Sequence, residues 1–360
     1  MKKVLMGTTA LVAMGAWAVS PAAAAEEKIM ISVGGYYESV VSFVDQSFDN
    51  PAIDKHSDNV RQEGEIHFKG ETTLDNGLTI GINVQLEAVS QGDQIDEHYI
   101  FFSGDFGRVL VGAENSAAYL MGYTAPSVGL GVNSPNFFLF SPQSSAPTNN
   151  YVTGISDSNK LTYFSPRFSG FQLGLSYTPN SDAAGGDRQT FGLNNDNNED
   201  DQANFFSVGL NFVNSFNGVD VAVSGTLERG SVEADVDGTS DDNQEWQIGA
   251  NFGFSGFTIG GSYGVNNNGL AGSNDTTAYD LGVSYETGPW GVSVAWFHGE
   301  REFAGGGQDD EVDLMELGAS YALGPGITVV GAIQRFDEDS ATVNSRSDGW
   351  GAALQTKLSF

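Results

Sequence analysis

The residues that could do chemistry are few and scattered. Gly260-Gly261-Ser262-Tyr263-Gly264 has the G-x-S-x-G spacing of a hydrolase nucleophile, where a sharp strand-to-helix turn lifts the serine toward a histidine. Here the pentapeptide continues an alternating segment, Phe257/Ile259/Tyr263/Val265 against Thr258/Gly260/Ser262/Asn266. Ser262 therefore reads as a small polar residue in mid-strand. His56, His67, His98 and His298 lack H-x-x-x-H spacing and share no element, so no zinc site is expected. The chain has no cysteine, which removes thiolate nucleophiles, disulfides and cysteine-ligated metals. No catalysis is expected and no cofactor is required. Two acidic clusters, Asp235, Asp237, Asp241 and Asp242, and Asp196, Glu199 and Asp200, could supply oxygen ligands to Ca²⁺ or Mg²⁺. A solvated acidic loop is the plainer reading of both, because the twelve-residue EF-hand pattern is absent.

The charge of the whole chain excludes a further class. Among 360 residues, 46 Asp and Glu stand against 15 Lys and Arg, a formal charge of -31, and phosphate backbones are bound by basic surface. Nucleic acid is no partner. Acidity can signal disorder, but 11% aromatic and 40% hydrophobic residues are a folding composition. At the N-terminus, Lys2-Lys3, an apolar stretch from Val4 to Val19 and small residues to Ala25 read as a secretory signal cleaved before Glu26. The stretch is shorter than the ~20 apolar residues of a membrane-spanning helix. Residues 1–25 are thus expected to be removed, and 26–360 to form a single domain.

The elements that must position these residues alternate with a period of two. Leu78/Ile80/Ile82/Val84/Leu86, Phe171/Leu173/Leu175/Tyr177, Tyr279/Leu281/Val283/Tyr285 and Trp350/Ala352/Leu354/Thr356/Leu358/Phe360 each form an apolar face opposite a small or polar one. Short turns rich in Gly, Pro, Asn and Asp fall at 75–77, 104–107, 165–170, 214–218, 253–256, 288–289 and 324–326. Longer polar stretches lie between them, near 45–59, 90–94, 115–158, 179–201, 230–243, 267–275, 300–310 and 338–347. Strict alternation of turns and loops joins sixteen strands with both ends on the turn side, the layout of an outer-membrane barrel. More than half of the acids, 26 of 46, fall in or beside the long stretches, at 45–58, 179–201, 230–245, 300–313 and 337–348, which places them outside the cell in this layout.

Orientation follows from the polar faces. A soluble sandwich, perhaps a secreted adhesin, would turn its apolar faces to a shared core and show Lys and Glu outside. These polar faces hold mainly Gly, Ser, Thr, Asn and Gln, and aromatics (Tyr36, Tyr37, Trp246, Trp290, Trp296, Trp350, Phe360) mark strand ends. An aromatic belt in lipid around a hydrated interior accounts for both.

Three stretches resemble the general diffusion porins of the Gram-negative outer membrane, particularly their alphaproteobacterial branch. They are Asp105-Phe106-Gly107-Arg108-Val109-Leu110-Val111-Gly112, Asn159-Lys160-Leu161-Thr162-Tyr163-Phe164-Ser165-Pro166-Arg167-Phe168-Ser169-Gly170-Phe171 and the terminal Phe360. The resemblance implies an all-β, transmembrane 16-stranded antiparallel β-barrel, a homotrimer among lipid and lipopolysaccharide, and passive diffusion of small hydrophilic solutes and ions. It further implies an inward-folded third loop, about 115–158, whose Tyr119, Leu120, Met121, Tyr123, Phe137, Phe138, Leu139 and Phe140 need the barrel wall or the trimer contact to pack on. The family's inward loop commonly carries acids that face basic wall residues; between Asn115 and Ser156 this one has no charge. Lining charge is then left to the wall, where alternation suggests Glu65, His67, Lys69, Glu71, Glu87, Arg108, Glu114, Lys160, Glu286 and Glu316. Acids predominate among them, and a modest cation preference is expected. The aromatic, uncharged loop also fits a substrate-specific channel on the same barrel. An outer-membrane hydrolase would need a serine and a histidine side by side, and no such pair is identifiable.

Overall fold

The computed structural model describes residues 29–89, 94–133, 138–181, 202–235, 238–272, 274–303, 309–341 and 345–360. The expected signal segment, 1–25, lies outside them. Sixteen strands follow in chain order: β1 (Ser32–Phe48), β2 (Asp58–Thr73), β3 (Thr79–Glu87), β4 (His98–Gly104), β5 (Gly107–Ala113), β6 (Asn159–Phe164), β7 (Phe171–Asn180), β8 (Gln202–Phe216), β9 (Val219–Val232), β10 (Gln244–Phe254), β11 (Phe257–Asn266), β12 (Thr276–Thr287), β13 (Trp290–Arg301), β14 (Asp310–Gly324), β15 (Ile327–Ser340) and β16 (Ser345–Ser359). Each pairs antiparallel with its sequence neighbours, and β1 pairs with β16 to close the barrel. Closure leaves no unpaired strand edge, the condition for backbone to cross lipid. One short helix, α1 (Ala117–Met121), opens the longest connection.

All seven short turns lie where glycine and asparagine mark them. Asn217-Gly218 and Ser255-Gly256 both take positive φ at each residue, the type I′ geometry whose twist matches the flanking strands. The strands run further into the long connections than alternation suggests: β13 extends to Arg301, β14 begins at Asp310, and β15 and β16 leave only 341–344 between them.

The two faces separate as expected. Leu161, Leu175, Leu210, Ile248, Ile259, Leu281, Val294, Leu317 and Leu354 are exposed on the outer face, while Ser207, Gln247, Asn251, Gln334 and Gln355 are buried within. Outer rings contact one another across strands in two groups. Trp246, Tyr263, Tyr279 and Trp296 form a run toward the long loops, and Phe171–Phe212, Phe257–Tyr285 and Trp290–Tyr321 pair near the short turns. Tyr36 departs from this expectation. It faces inward, donating to Glu65 at 2.5 Å and meeting His67 edge-on, because it shares a register position with Glu65.

Candidate functional site

The inner face divides into two sectors. On β1–β6 the register brings Glu38, Arg61, Glu63, Glu65, His67, Lys69, Glu71, Glu87 and Arg108 onto one surface. His67 Nε2 lies 2.6 Å from Glu65 Oε2, and Arg108 sits 4.2 Å above the Phe101 ring. Glu65, Glu87 and Asp96 each offer an oxygen within 4.8 Å of the others. Two further acids flank this wall just beyond the strand ends. Burial first, and then the charge of Glu114, hold the Glu97 carboxyl well above the usual carboxylate range; burial likewise raises Glu114.

On β7–β15 the inner face is occupied by the long connection itself. A backbone buried in a barrel needs acceptors for its N–H groups, and a stretch with no acid between Asn115 and Ser156 finds many of them on the wall. Ala117 donates to Ser176, Tyr123 to Ser224, Ala125 to Asp280 at 2.7 Å, and Val128 to Ser293. Gly131 donates to both oxygens of Glu316, which also accepts from Ser127 and Gln334. Beyond residue 138, Leu139 donates to Gln334, Ser141 to Gln46, and Gln143 and Ser144 to Glu338; Ser145 donates to Asp310 at 2.6 Å. Thr153 and Gly154 close the circuit on Glu245, both at 3.0 Å. The acceptors are of two kinds: carboxyl groups of Asp280, Glu316, Glu338, Asp310 and Glu245, and neutral hydroxyls and amides of Ser176, Ser224, Ser293, Gln334 and Gln46.

Apolar packing supplements them. Phe138 and Phe140 join Val132, Phe297, Leu314 and Phe336 in a buried cluster, with the Phe140 and Phe336 rings stacked at 4.8 Å. Leu139 packs with Val40, Leu130 and Ala332, and the Met121 sulfur lies close to Gly174 and Gly209. Tyr119 pairs with Tyr151, whose hydroxyl meets Thr124 at 3.0 Å, and Tyr123 binds the wall through its backbone. Phe137 lies outside the described residues.

Two basic side chains fix the ends and the far side of this arc. Lys160 donates to the carbonyls of Glu114, Ser156 and Ser158, tying the beginning of the connection to its end. Arg61 on β2 donates to the carbonyl of Phe138, across from the strands that hold the rest.

A family model described as Gram-negative porin matches residues 7–341. The chain belongs to the Gram-negative porin family. Among solved structures, a porin refined at 1.8 Å resolution matches with TM-score 0.60 and 18% identity over 92% of this chain and 100% of that one. An anion-selective porin from Comamonas acidovorans gives 0.62 and 16% over 92% and 100%, and the trimer form of OmpT from Vibrio cholerae 0.61 and 14% over 93% and 100%. Uncharacterized proteins of Rickettsia conorii and Rickettsia prowazekii are 26% and 24% identical, over 56% and 62% of each chain respectively. The chain thus spans less than two thirds of the length of the curated relatives it matches.

Family and fold place this porin in the outer membrane and mark it as a channel protein rather than an enzyme. Ser262 accordingly lies in β11, donating to Asp280 and accepting from Asn150, with no helix turn beneath it. Of the residues expected to line the channel, Glu65, His67, Lys69, Glu71, Glu87 and Arg108 share the β2–β5 wall, Glu114 follows β5, and Glu286 faces inward at the turn end of β12. Lys160 and Glu316 also point inward, but both are buried beneath or beside the loop and hold it, instead of facing an open lumen. The expectation that acids of 230–245, 300–313 and 337–348 are extracellular is corrected for Glu245, Asp310 and Glu338, which are inner-wall residues under the loop. Asp235, Asp241 and Asp242 accept N–H groups of their own loop or pair with Arg229, while Asp196, Glu199, Asp200 and Asp237 lie outside the described residues.

Asp280, Glu245, Glu338, Asp310 and Arg61 were not singled out by sequence reasoning. The alternation that puts Asp280 on a small polar face could have found the first; the others sit where strand ends read as loop.

Proposed function

We propose that this porin is a water-filled channel for passive diffusion of small hydrophilic solutes and ions, mildly cation-selective and trimeric, with residues 115–158 setting its narrowest section. The observation that carries the reading is the segregation of charge. Ionisable side chains that face the lumen are concentrated on the β1–β6 wall, with Lys357 of β16 beside Glu38 and with Asp220 and Glu286 at the turn ends of β9 and β12, while the middle of the opposite sector is covered by the loop seated on its own acceptors. A transverse pairing of loop acids with wall bases, as the family resemblance suggests elsewhere, has no counterpart here. The field along the path is dominated by one wall, where Glu38, Glu63, Glu65, Glu71 and Glu87 outnumber Arg61, Lys69, Arg108 and the Lys357 that pairs with Glu38. Cations are favoured by such an excess.

Glu300, Glu311, Asp313, Asp337, Asp339 and Asp348, with Arg335 and Arg346, occupy outer-face positions at the long-loop ends of β13–β16. This outer rim supports contact with lipopolysaccharide headgroups through divalent cations. The reading is tested by reversal potentials in planar bilayers across a salt gradient, where cation preference is expected and anion preference would overturn it. Liposome swelling with a graded sugar series separates the general channel, with rates falling smoothly with size, from a specific one, with a single sugar far above the trend.

A further inference from the structure

Beneath the returning limb of the loop, two carboxylates confront each other. Glu228 of β9 and Glu245 of β10 are cross-strand partners, and both are buried. Like charges directly opposite are unfavourable, and more so away from water. Glu228 Oε2 accepts from the Ser207 hydroxyl at 2.5 Å, and Ser116 and the Ile155 N–H stand beside the same carboxylate. Its Oε1 receives no hydrogen bond. The Asn243 carbonyl oxygen, on a side chain 7% exposed, also lacks a donor.

The orientation of that amide is set by a relay. The Asn268 N–H donates to Asn266 Oδ1 at 2.6 Å, which turns the Asn266 amino group toward Glu245. Asn243 Nδ2 donates to the same Asn266 oxygen at 3.4 Å, so Asn243 has only its Oδ1 left to present to the carboxylates. Three oxygens therefore converge. Measured from the point where a Cβ on residue 154 would stand, Glu228 Oε1 lies at 2.8 Å, Asn243 Oδ1 at 3.3 Å and Glu245 Oε2 at 3.4 Å. That point is at bonding distance from the Gly154 Cα, so an ion would stand beyond it on the side of the oxygens, of which Glu245 Oε2 also accepts the Thr153 and Gly154 N–H groups; a methyl at 154 would press on Glu228 Oε1 first. The base that acts on Glu228, Lys160, directs its own hydrogen bonds to the carbonyls of Glu114, Ser156 and Ser158.

We propose that Glu228, Glu245 and Asn243 form a divalent-cation site of the hard, all-oxygen kind that suits calcium, locking the limb Thr153–Ile155 to the β9–β10 wall. Two anionic oxygens and one neutral amide oxygen are the donor set such an ion takes, with backbone carbonyls or water completing a shell at about 2.3–2.6 Å. The ion would relieve the repulsion of the buried pair and satisfy both orphaned acceptors at once. It is independent of the pore reading, since it concerns how the loop is held and not what passes it.

Calcium uptake by the full-length, detergent-folded protein after chelation provides the test. Equilibrium dialysis with radioactive calcium is done in a background carrying Asp196→Asn, Glu199→Gln, Asp200→Asn, Asp235→Asn, Asp237→Asn, Asp241→Asn and Asp242→Asn, so that these acidic clusters of the long loops do not contribute. The parent is expected to retain about one tight calcium per chain, and Gly154→Ala, whose methyl would crowd the three oxygens, to lose it. Asn243→Ala, which removes a neutral ligand and leaves both carboxylates, should weaken binding by about tenfold or more. Calcium should also raise the unfolding temperature of the parent and not that of Gly154→Ala. If Gly154→Ala does not fold, Asn243→Ala decides. A parent without tight calcium, or equal uptake by the parent and the folded variants, would overturn the site; an infrared band of a protonated carboxyl at neutral pH that vanishes in Glu228→Gln would identify a shared proton in its place.

Discussion

The two halves of the inner wall use the same residue types for different ends. Under the loop, Glu316 and Asp280 are saturated by N–H groups and hydroxyls, and they hold chain to chain. On the β2–β5 wall, Glu65, Glu87 and Lys69 stand at equivalent inward positions, where Glu65 accepts from Tyr36 and lies beside His67, and Asp96 approaches Glu65 and Glu87. An inward carboxylate is therefore a clasp or a lining charge according to what lies in front of it. Position on the strand alone does not decide.

The contrast predicts a ranked set of effects. Glu316→Ala should be the most damaging, costing about 3 kcal/mol, because it leaves the Gly131 N–H and Gln334 without acceptors in a dry setting. Thermal unfolding of the folded protein would register the loss, and single-channel recordings should become noisier as the loop loosens; a silent Glu316→Ala would break the contrast. Lys160→Met comes next at about 2 kcal/mol, since three carbonyls lose their donor. On the other wall, Glu87→Lys should change stability by less than about 0.5 kcal/mol while moving the reversal potential toward anions. An equal fall in unfolding temperature for Glu87→Lys and Glu316→Ala would show that the two sectors do not differ.

A smaller, pH-dependent effect is expected at Glu97. Its carboxyl is raised in the folded protein, so the native state keeps a proton that the unfolded chain releases, and stability is lost as pH rises above the ordinary value of 4.5. Glu97→Gln should thus match the wild type below roughly pH 4 and gain on it steadily as pH rises. Unfolding temperatures across pH would check this; a gain confined to acid pH would reverse the assignment.

How much of this was legible depended on whether neighbours in sequence or in space decide it. The seven turns, the period of two and the outward faces of segments such as Leu78–Leu86 depend on local pattern, and they are found where pattern put them. The seat of the loop does not. Glu338 and Asp310 sit at polar strand ends that resemble solvated loop, and they are received inside by the N–H groups of Gln143–Ser145, far away in the chain, together with the Ser347 hydroxyl and the Ala341 N–H. Lys160 was placed on the right face by alternation, yet its role rests on carbonyls of the connection it closes. Tyr36 was misread for the same reason: an aromatic near a strand end suits a lipid belt, whereas its register partner Glu65 sets it inside.

Cysteine accessibility tests the division of the wall most directly, because the chain contains no cysteine of its own. Single variants Lys69→Cys and Glu87→Cys on the open wall, and Gln247→Cys and Gln334→Cys under the loop, would be treated with a charged thiol reagent during single-channel recording. Modification is expected to lower conductance at once for the first two and to leave the second two unchanged. Rapid block of Gln247→Cys or Gln334→Cys, with Lys69→Cys and Glu87→Cys unreactive, would contradict the account.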